Sequence, residues 1–367
     1  MEVSSVDRYD VEALVSLIAK HAFKRVVLQF PDEELEHCVP AYDFLSASIP
    51  EGTEIYVTAD STWGSSIDDV SAMHCDGDVL FYFGTDLSSS GSIPVAIVPP
   101  RKPIDIPHCI SQITSAVAGL KDENGSTHSI VVFYEPGYHT PCVTVATSLS
   151  TELGISVEVA ALPQHADLTK WEPRTGQKIS TEGQSNNQII VGGLLVPASL
   201  LEDKSTVIVY MGDKSEQIVN ILLRVSENTV VHYSPHTTIQ NNLLSKDSAS
   251  ASTSSIHVLK GTDSIEFRER YGGVLRVKDA QIIGIIVGSM GLTGELTKDL
   301  LHRLQTLIRA AHKKYYCFVM GRLNEAKLCN FPEVSTVVVV LFFWRRFKSY
   351  FGLDTYYISF NFFCYQC

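Results

Sequence analysis

The stretch Ala280-Gln-Ile-Ile-Gly-Ile-Ile-Val-Gly-Ser-Met-Gly-Leu-Thr-Gly-Glu295 decides the fold class. Its apolar run from Ile282 to Val287 ends in Gly288, Gly291 and Gly294. Leu300, Leu301, Leu304, Leu307 and Ile308 then recur at helical spacing, and a second apolar run, Tyr315 to Met320, closes at Gly321. Strand, glycine turn, helix, strand is a βαβ crossover, which requires a parallel sheet buried on both faces. The turn sits at the carboxyl end of its strand, where open α/β sheets bind ligands. Glycines there free backbone N–H groups and allow close approach. Their spacing matches neither the dinucleotide fingerprint nor the P-loop, so a plain turn is the preferred reading.

Similar runs recur upstream. Arg25 to Phe30, Glu54 to Ala59, Val79 to Phe83 and Val95 to Val98 form a first round. A second round has Ile130 to Tyr134, Val157 to Ala161 and Ile189 to Val191, and the third begins at Ile282. In the first two rounds the third strand is read as ending at a glycine, Gly84 and Gly192. Val207 to Tyr210, Ser215 to Arg224 and Val230 to Tyr233 read as an extra strand–helix–strand between the second and third rounds. A period above a hundred residues means duplicated α/β domains rather than a solenoid. The expectation is three α/β domains with mainly parallel sheets: residues 1–122, 123–240 and 241–340. Residues 341–367 follow as an atypical aromatic-rich tail. The turn-rich Asp122 to His128 and the Ser-rich Asn241 to Ser255 mark the joins.

Length agrees with several domains, since 367 residues exceed one ordinary core. A content of 45% hydrophobic and 19% charged residues supplies ample core. The net charge of −12 argues against a large nucleic-acid footprint. The apolar run from Val337 to Trp344 falls short of the roughly 20 residues of a membrane span, and no membrane association is expected. Met1 to Asp7 is polar and acidic, without a signal-peptide pattern, so a cytoplasmic protein with reduced thiols is expected. Its eight cysteines are mostly single and read as packed hydrophobes, with Cys317 inside a strand taken as buried; Cys364 and Cys367 form a lone Cys-x-x-Cys.

Chemistry-bearing candidates are few. The loop Thr58 to Val70 follows a strand, and Asp60, Asp68 and Asp69 could hold a hard cation or act as acid and base. Helix capping is preferred, with Ser65 or Ser66 as N-cap and the two aspartates in the first turn. His139 follows a strand and could face a pocket, with an ordinary loop histidine the preferred reading. No Gly-x-Ser-x-Gly, His-Glu-x-x-His or Gly-Lys-Ser/Thr motif occurs, so no catalytic residue and no metal ligand is assigned.

The chain resembles the subunit 2 proteins of diphthamide biosynthesis. The resemblance rests on Arg268-Glu-Arg-Tyr271, Lys278-Asp-Ala280, Gly288-Ser-Met-Gly291, Ala310-Ala-His-Lys-Lys314, Phe318 to Leu328 and Asn330-Phe-Pro-Glu-Val334. Val27 to Glu33, Ala59-Asp60, Trp63-Gly64, Asp68-Asp69 and Leu80 to Gly84 extend it more loosely. It implies three homologous domains in a pseudo-threefold arrangement. It also implies the first diphthamide step, in which a [4Fe-4S] cluster cleaves S-adenosylmethionine and a 3-amino-3-carboxypropyl group moves to a histidine of elongation factor 2. In the catalytic relatives one cysteine per domain holds the cluster. Here Ser65 and Ser66 stand where the family has thiols, and Leu341-Phe-Phe-Trp344 replaces the Ala-Cys-Pro pattern after the last strand. Serine is a poor ligand for such clusters.

The resemblance therefore implies an accessory subunit paired with the cluster-bearing subunit 1 and supporting reduction of its cluster. A small electron-donor protein would assist, and the chain would be a shortened version of a longer subunit. Asp60, Gly288 and Gly291 are the position-based candidates for contact with S-adenosylmethionine. A stand-alone α/β enzyme taking a nucleotide or sulfonium ligand at Gly288–Gly294 is the competing reading.

Overall fold

Runs of β-branched and aromatic residues build three larger sheets whose inner strands are buried on both faces. The computed structural model describes residues 5–58, 67–87, 93–120, 129–173, 188–213, 216–235, 255–260, 265–288, 295–320, 325–340 and 357–359. The chain divides into two compact units, Met1–Asp263 and Ser264–Cys367.

The first sheet consists of β1 (Arg25–Gln29), β2 (Glu54–Thr58), β3 (Val79–Tyr82) and β4 (Val95–Ile97), in the order β2-β1-β3-β4 and parallel throughout. Pleating sends Val26 and Leu28 to one side, against Leu14 and Ile18 of helix α2 (Val11–His21) and Leu45 of α3 (Cys38–Ser48). Val27 goes to the other side, with Ala72 of the short helix α4 (Asp69–His74). The short α1 (Ser5–Arg8) precedes α2.

The second sheet repeats this order. It contains β5 (Ile130–Tyr134), β6 (Val157–Val159), β9 (Val207–Met211), β10 (Thr229–Tyr233) and β11 (Ile256–Lys260), arranged β11-β10-β9-β5-β6. Helix α5 (Ile106–Ala118) leads into it, α6 (His139–Leu153) follows β5, and α8 (Glu216–Arg224) follows β9. Ile189 to Val191 is not the third strand of this round. It lies in a two-stranded antiparallel hairpin, β7 (Gln188–Val191) with β8 (Leu194–Pro197), which is followed by the short helix α7 (Ala198–Glu202). Gly192 and Gly193 make the turn at φ +58° and +83°, the left-handed values of a two-residue hairpin loop. The strand read as extra, β9, is the true third strand. Another departure concerns β11, which pairs antiparallel with β10 beyond the Ser-rich segment. The second sheet therefore runs past residue 241, and the break between compact units falls after Asp263.

The third sheet, in the second unit, has the order β13-β12-β14-β15 and is parallel, with β12 (Ile282–Gly288), β13 (Lys314–Met320), β14 (Thr336–Val340) and β15 (Tyr357–Ser359). Helix α9 (Ile265–Asp279) precedes it and α10 (Glu295–Ala310) makes the crossover. Ile283, Ile285 and Val287 pack with Leu304 and Ile308, while Ile286 packs the other face with Phe318. Because β13 is an edge strand, Cys317 is exposed rather than buried. The tail contributes β15, whose three residues pair with Val337 to Val339. All three sheets thus place their first strand inside, the second on one side and the third on the other.

Candidate functional site

That shared order creates a switch point in each sheet, at the carboxyl ends of its first and third strands, where open α/β sheets bind ligands. In the first sheet it lies between Gln29 and Tyr82. The Gln29 side chain is buried and its Oε1 accepts a hydrogen bond from the Asp68 backbone N–H at 2.9 Å. Asp68 in turn caps α4, accepting from the Ser71 N–H at 3.0 Å and the Ser71 hydroxyl at 2.5 Å. The N-cap is therefore Asp68 itself, not Ser65 or Ser66; those two and Asp60 lie outside the described residues. Phe30 and Phe83 stack at 4.2 Å across the switch point, and Tyr9 meets Phe83 edge-on at 5.0 Å. The Tyr9 hydroxyl and the Nε and Nη2 groups of Arg8 all donate to Glu34, at 2.5, 2.7 and 2.7 Å. Burial alone would raise the Glu34 pKa, but Arg8 and Tyr9 together hold it below the ordinary carboxylate value.

In the second sheet the switch point lies between Glu135, which follows β5, and Gly212–Asp213, which follow β9. Lys102 reaches in from the segment joining the first two sheets and donates to Glu135 Oε1 at 2.6 Å; Asp213 Oδ2 lies 4.0 Å from the same ammonium. Glu135 is 2% exposed, so its charge is met inside the protein rather than by water. Gly137 permits this approach: a Cβ there would meet the Pro100 carbonyl at 2.4 Å and Lys102 Cγ at 3.0 Å. Gln217 Nε2 donates to Gly192 O at 2.8 Å and to Tyr134 O at 3.2 Å, tying the hairpin turn to the end of β5. The Tyr138 hydroxyl is buried without a protein hydrogen-bond partner, and burial pushes its pKa far up, so it stays neutral. His139 Nδ1 lies 2.8 Å from the Tyr134 hydroxyl; burial lowers the imidazole pKa and favours the neutral ring. The pair is a neutral contact at the start of α6, not a charged acid–base couple.

In the third sheet Gly288 is the last residue of β12, in register with Met320. Gly291 lies outside the described residues, as does Arg322 to Asn324. Of Asp60, Gly288 and Gly291 only Gly288 is among the described residues, where Lys102, Glu135, Tyr138 and Asp213, which no motif marks, lie close together at the second switch point.

Helix α3 and helix α6 bury residues at the same spacing: Cys38, Ala41 and Leu45 in one, Cys142, Val145 and Leu149 in the other. Tyr82-Phe83-Gly84 at the end of β3 likewise matches Tyr210-Met211-Gly212 at the end of β9. At both places the tyrosine ring folds over the glycine, whose added Cβ would lie 2.5 Å and 3.1 Å from the respective hydroxyl oxygen.

Three doubly wound, mainly parallel sheets with one strand order define an α/β protein of internally repeated architecture. The family model for diphthamide synthesis proteins matches residues 30–340, and the chain belongs to that family. Among curated relatives, the 2-(3-amino-3-carboxypropyl)histidine synthase subunit 2 of Cryptococcus neoformans is 27% identical over 341 residues, which is 92% of this chain and 61% of the relative. The proteins of that name from Schizosaccharomyces pombe and Danio rerio are 28% and 26% identical, covering 93% and 90% of this chain and 60% and 62% of their own lengths. The chain therefore spans about three-fifths of these relatives. A crystal structure of Dph2 from Pyrococcus horikoshii with a 4Fe-4S cluster has the same fold, with a TM-score of 0.60 at 17% identity over 90% of this chain and 83% of that one.

Among the described residues the thiols are not gathered as such a cluster would need, and Cys364 and Cys367 lie outside them. Cys38, Cys109 and Cys142 are buried in helix–sheet cores, and burial raises each pKa, to about 12 for Cys109. Cys317 and Cys329 are exposed. The segment after β6, Ala160 to Trp171, is the second-sheet counterpart of the loop after β2, and neither contains a cysteine. Among the described residues no three His, Cys, Asp or Glu side chains form a metal-binding group. No described helix is long and apolar enough to cross a membrane.

Proposed function

We propose that this chain is the accessory subunit of a histidine 3-amino-3-carboxypropyltransferase acting in the first step of diphthamide biosynthesis. The observation that carries the reading is a family fold whose cluster loops lack thiolates. In this reading three homologous domains lie around a pseudo-threefold axis, and the chain pairs in the cytoplasm with a cluster-bearing subunit 1. It supports reduction of that subunit's [4Fe-4S] cluster, served by a small electron-donor protein. S-adenosylmethionine is the co-substrate, elongation factor 2 receives the group, and Asp60, Gly288 and Gly291 are the candidate co-substrate contacts.

The test is anaerobic coexpression with subunit 1, with iron quantified on each chain and transfer from labelled S-adenosylmethionine to elongation factor 2 measured. Copurification, iron confined to subunit 1 and faster transfer in the presence of this chain are expected. A chain that ignores subunit 1 and binds a nucleotide or sulfonium ligand by itself would replace this reading with the stand-alone enzyme.

A further inference from the structure

The second compact unit carries a charge opposite to that of the whole chain: 14 Lys and Arg against 8 Asp and Glu, in a protein of net charge −12. Part of this charge gathers at the amino-end rim of the third sheet. Arg276 and Lys278 end α9, Arg309 lies in the last turn of α10, and Lys313 and Lys314 lead into β13. Asp279 is the one carboxylate in these stretches. Lys313 draws them together, its ammonium donating to the Val277 carbonyl at 2.8 Å and to the Lys278 carbonyl. Between α10 and the lysines His312 turns the chain at φ +56°, its N–H bonded to Arg309 O at 2.9 Å. Cations suit helix C-termini. Here Lys313 already meets the last carbonyls of α9, and Arg309 donates to the Tyr315 hydroxyl at 2.5 Å. Exposed Lys278, His312 and Lys314 exceed what the helix ends require.

From this rim a row of rings runs along one face of the sheet. Pleating puts Lys314, Tyr316 and Phe318 of the edge strand β13 on the same side. The Tyr316 ring lies 6.3 Å from Phe318, and Phe318 lies 4.7 Å from Phe331, in the segment before β14. Tyr316 and Phe331 remain 45% and 36% exposed. A basic rim that continues into exposed rings suits a single-stranded nucleic acid, since cations follow its phosphates and rings take the faces of its bases. An acidic peptide would engage the cations and leave the rings without a role. The whole-chain charge argues against a large footprint, and this one spans only a few nucleotides.

We infer that the second unit binds a short single-stranded nucleic acid, with phosphates along Lys278 and Lys314 and a base stacked on Tyr316. The inference does not rest on the proposed function.

The test uses the full chain and the fluorescence anisotropy of labelled oligouridine of about 12 nucleotides. Oligothymidine of the same length, duplex RNA and polyglutamate are the comparison probes. Binding with a Kd on the order of 10 µM at low salt, weakening as salt is raised, is expected. Single strands should bind more tightly than duplex or polyglutamate, and the tighter of the RNA and DNA strands identifies the source. Lys278→Gln with Lys314→Gln should weaken binding at least about tenfold and flatten its salt dependence. Tyr316→Ala should weaken it about tenfold at unchanged salt dependence, and Tyr316→Trp should retain it, which separates loss of the ring from loss of the fold. A wild-type chain that binds no single strand overturns the inference. So does binding indifferent to the lysine pair, or binding that is unchanged in Tyr316→Ala and matched by polyglutamate, which would leave the rim to an acidic protein.

Discussion

Lys102 donates to Glu135 at 2.6 Å across the join between the first two sheets, and Glu135 is almost wholly shielded from water. Removing one partner of such a pair leaves a charge without compensation, whereas replacing both can be nearly neutral. Lys102→Met should therefore cost about 3 kcal/mol in urea unfolding, and adding Glu135→Gln should recover much of it. A single-variant loss below about 1 kcal/mol would mean that the pair behaves like a surface salt bridge.

Glu34 provides a pH signature. Although burial alone would raise its pKa, the hydrogen bonds from Arg8 and Tyr9 win and lower it from 4.5 in the folded state. A depressed carboxylate contributes stability that is present above the unfolded pKa and lost as pH falls through the folded one. The melting temperature of the wild type should thus fall as pH drops below about 4.5. Glu34→Gln should be less stable at neutral pH and show a shallower acid limb. Parallel curves for the two proteins would remove Glu34 from the acid response.

Two glycines should respond in opposite directions to alanine. At Gly137 the new Cβ meets a backbone carbonyl at 2.4 Å, which cannot rotate away. Gly137→Ala should cost about 2 kcal/mol or more. At Gly272, inside α9, an added Cβ meets nothing within 4 Å, and alanine is the better helix former. Gly272→Ala should stabilise by about 0.5–1 kcal/mol in dilute thermal unfolding. Equal signs at the two sites would contradict the geometry.

The strands themselves were legible because two-sided burial leaves apolar runs that stand out in the sequence, as Val26 to Leu28, Ile130 to Phe133 and Ile283 to Val287 do. Assigning them to rounds failed at Ile189 to Val191, since three apolar residues before a glycine suit a hairpin as well as a core strand. The signal that distinguishes them was present. Val191-Gly-Gly-Leu194 is a two-residue hairpin loop, and Tyr210-Met-Gly212 repeats Tyr82-Phe-Gly84. The Lys102–Glu135–Asp213 cluster was illegible for a different reason. Its members come from three distant segments with no motif between them, and only the parallel sheet brings them together. With Ser65 or Ser66 as the cap, Asp68 falls two or three positions too deep in its helix, because serine and aspartate are equally good caps.

The tail poses the next test. Tyr357 to Ser359 pairs along β14 and makes β15 the edge of the third sheet. Removing residues 341–367 would turn Thr336–Val340, rich in valine, into an open edge, which invites pairing with other chains. The truncated protein should unfold at lower denaturant in its second unit and aggregate more. A truncation that is equally stable and more soluble would show that β15 contributes nothing.

The thiols give the last prediction. Cys38, Cys109 and Cys142 are buried with raised pKa values, so they are both inaccessible and protonated at neutral pH. Among the thiols of the described residues, an alkylating reagent should modify Cys317 and Cys329 first in the native protein and reach the three core thiols only after unfolding, with Cys75, which is half-buried, in between. The same distribution governs iron. Thiolates hold [4Fe-4S] clusters, and neither the loop after β2 nor the segment after β6 supplies one. Anaerobic reconstitution of the chain alone should therefore leave it without stoichiometric iron and sulfide. Ser66→Cys should not change this, because it adds a thiol in one sheet while the second and third still offer none at the matching loop. Stoichiometric iron and sulfide on the unmodified chain, accompanied by protection of Cys317 and Cys329 from alkylation, would show that exposed thiols outside those loops can assemble a site, and would remove the chemical basis for an accessory role.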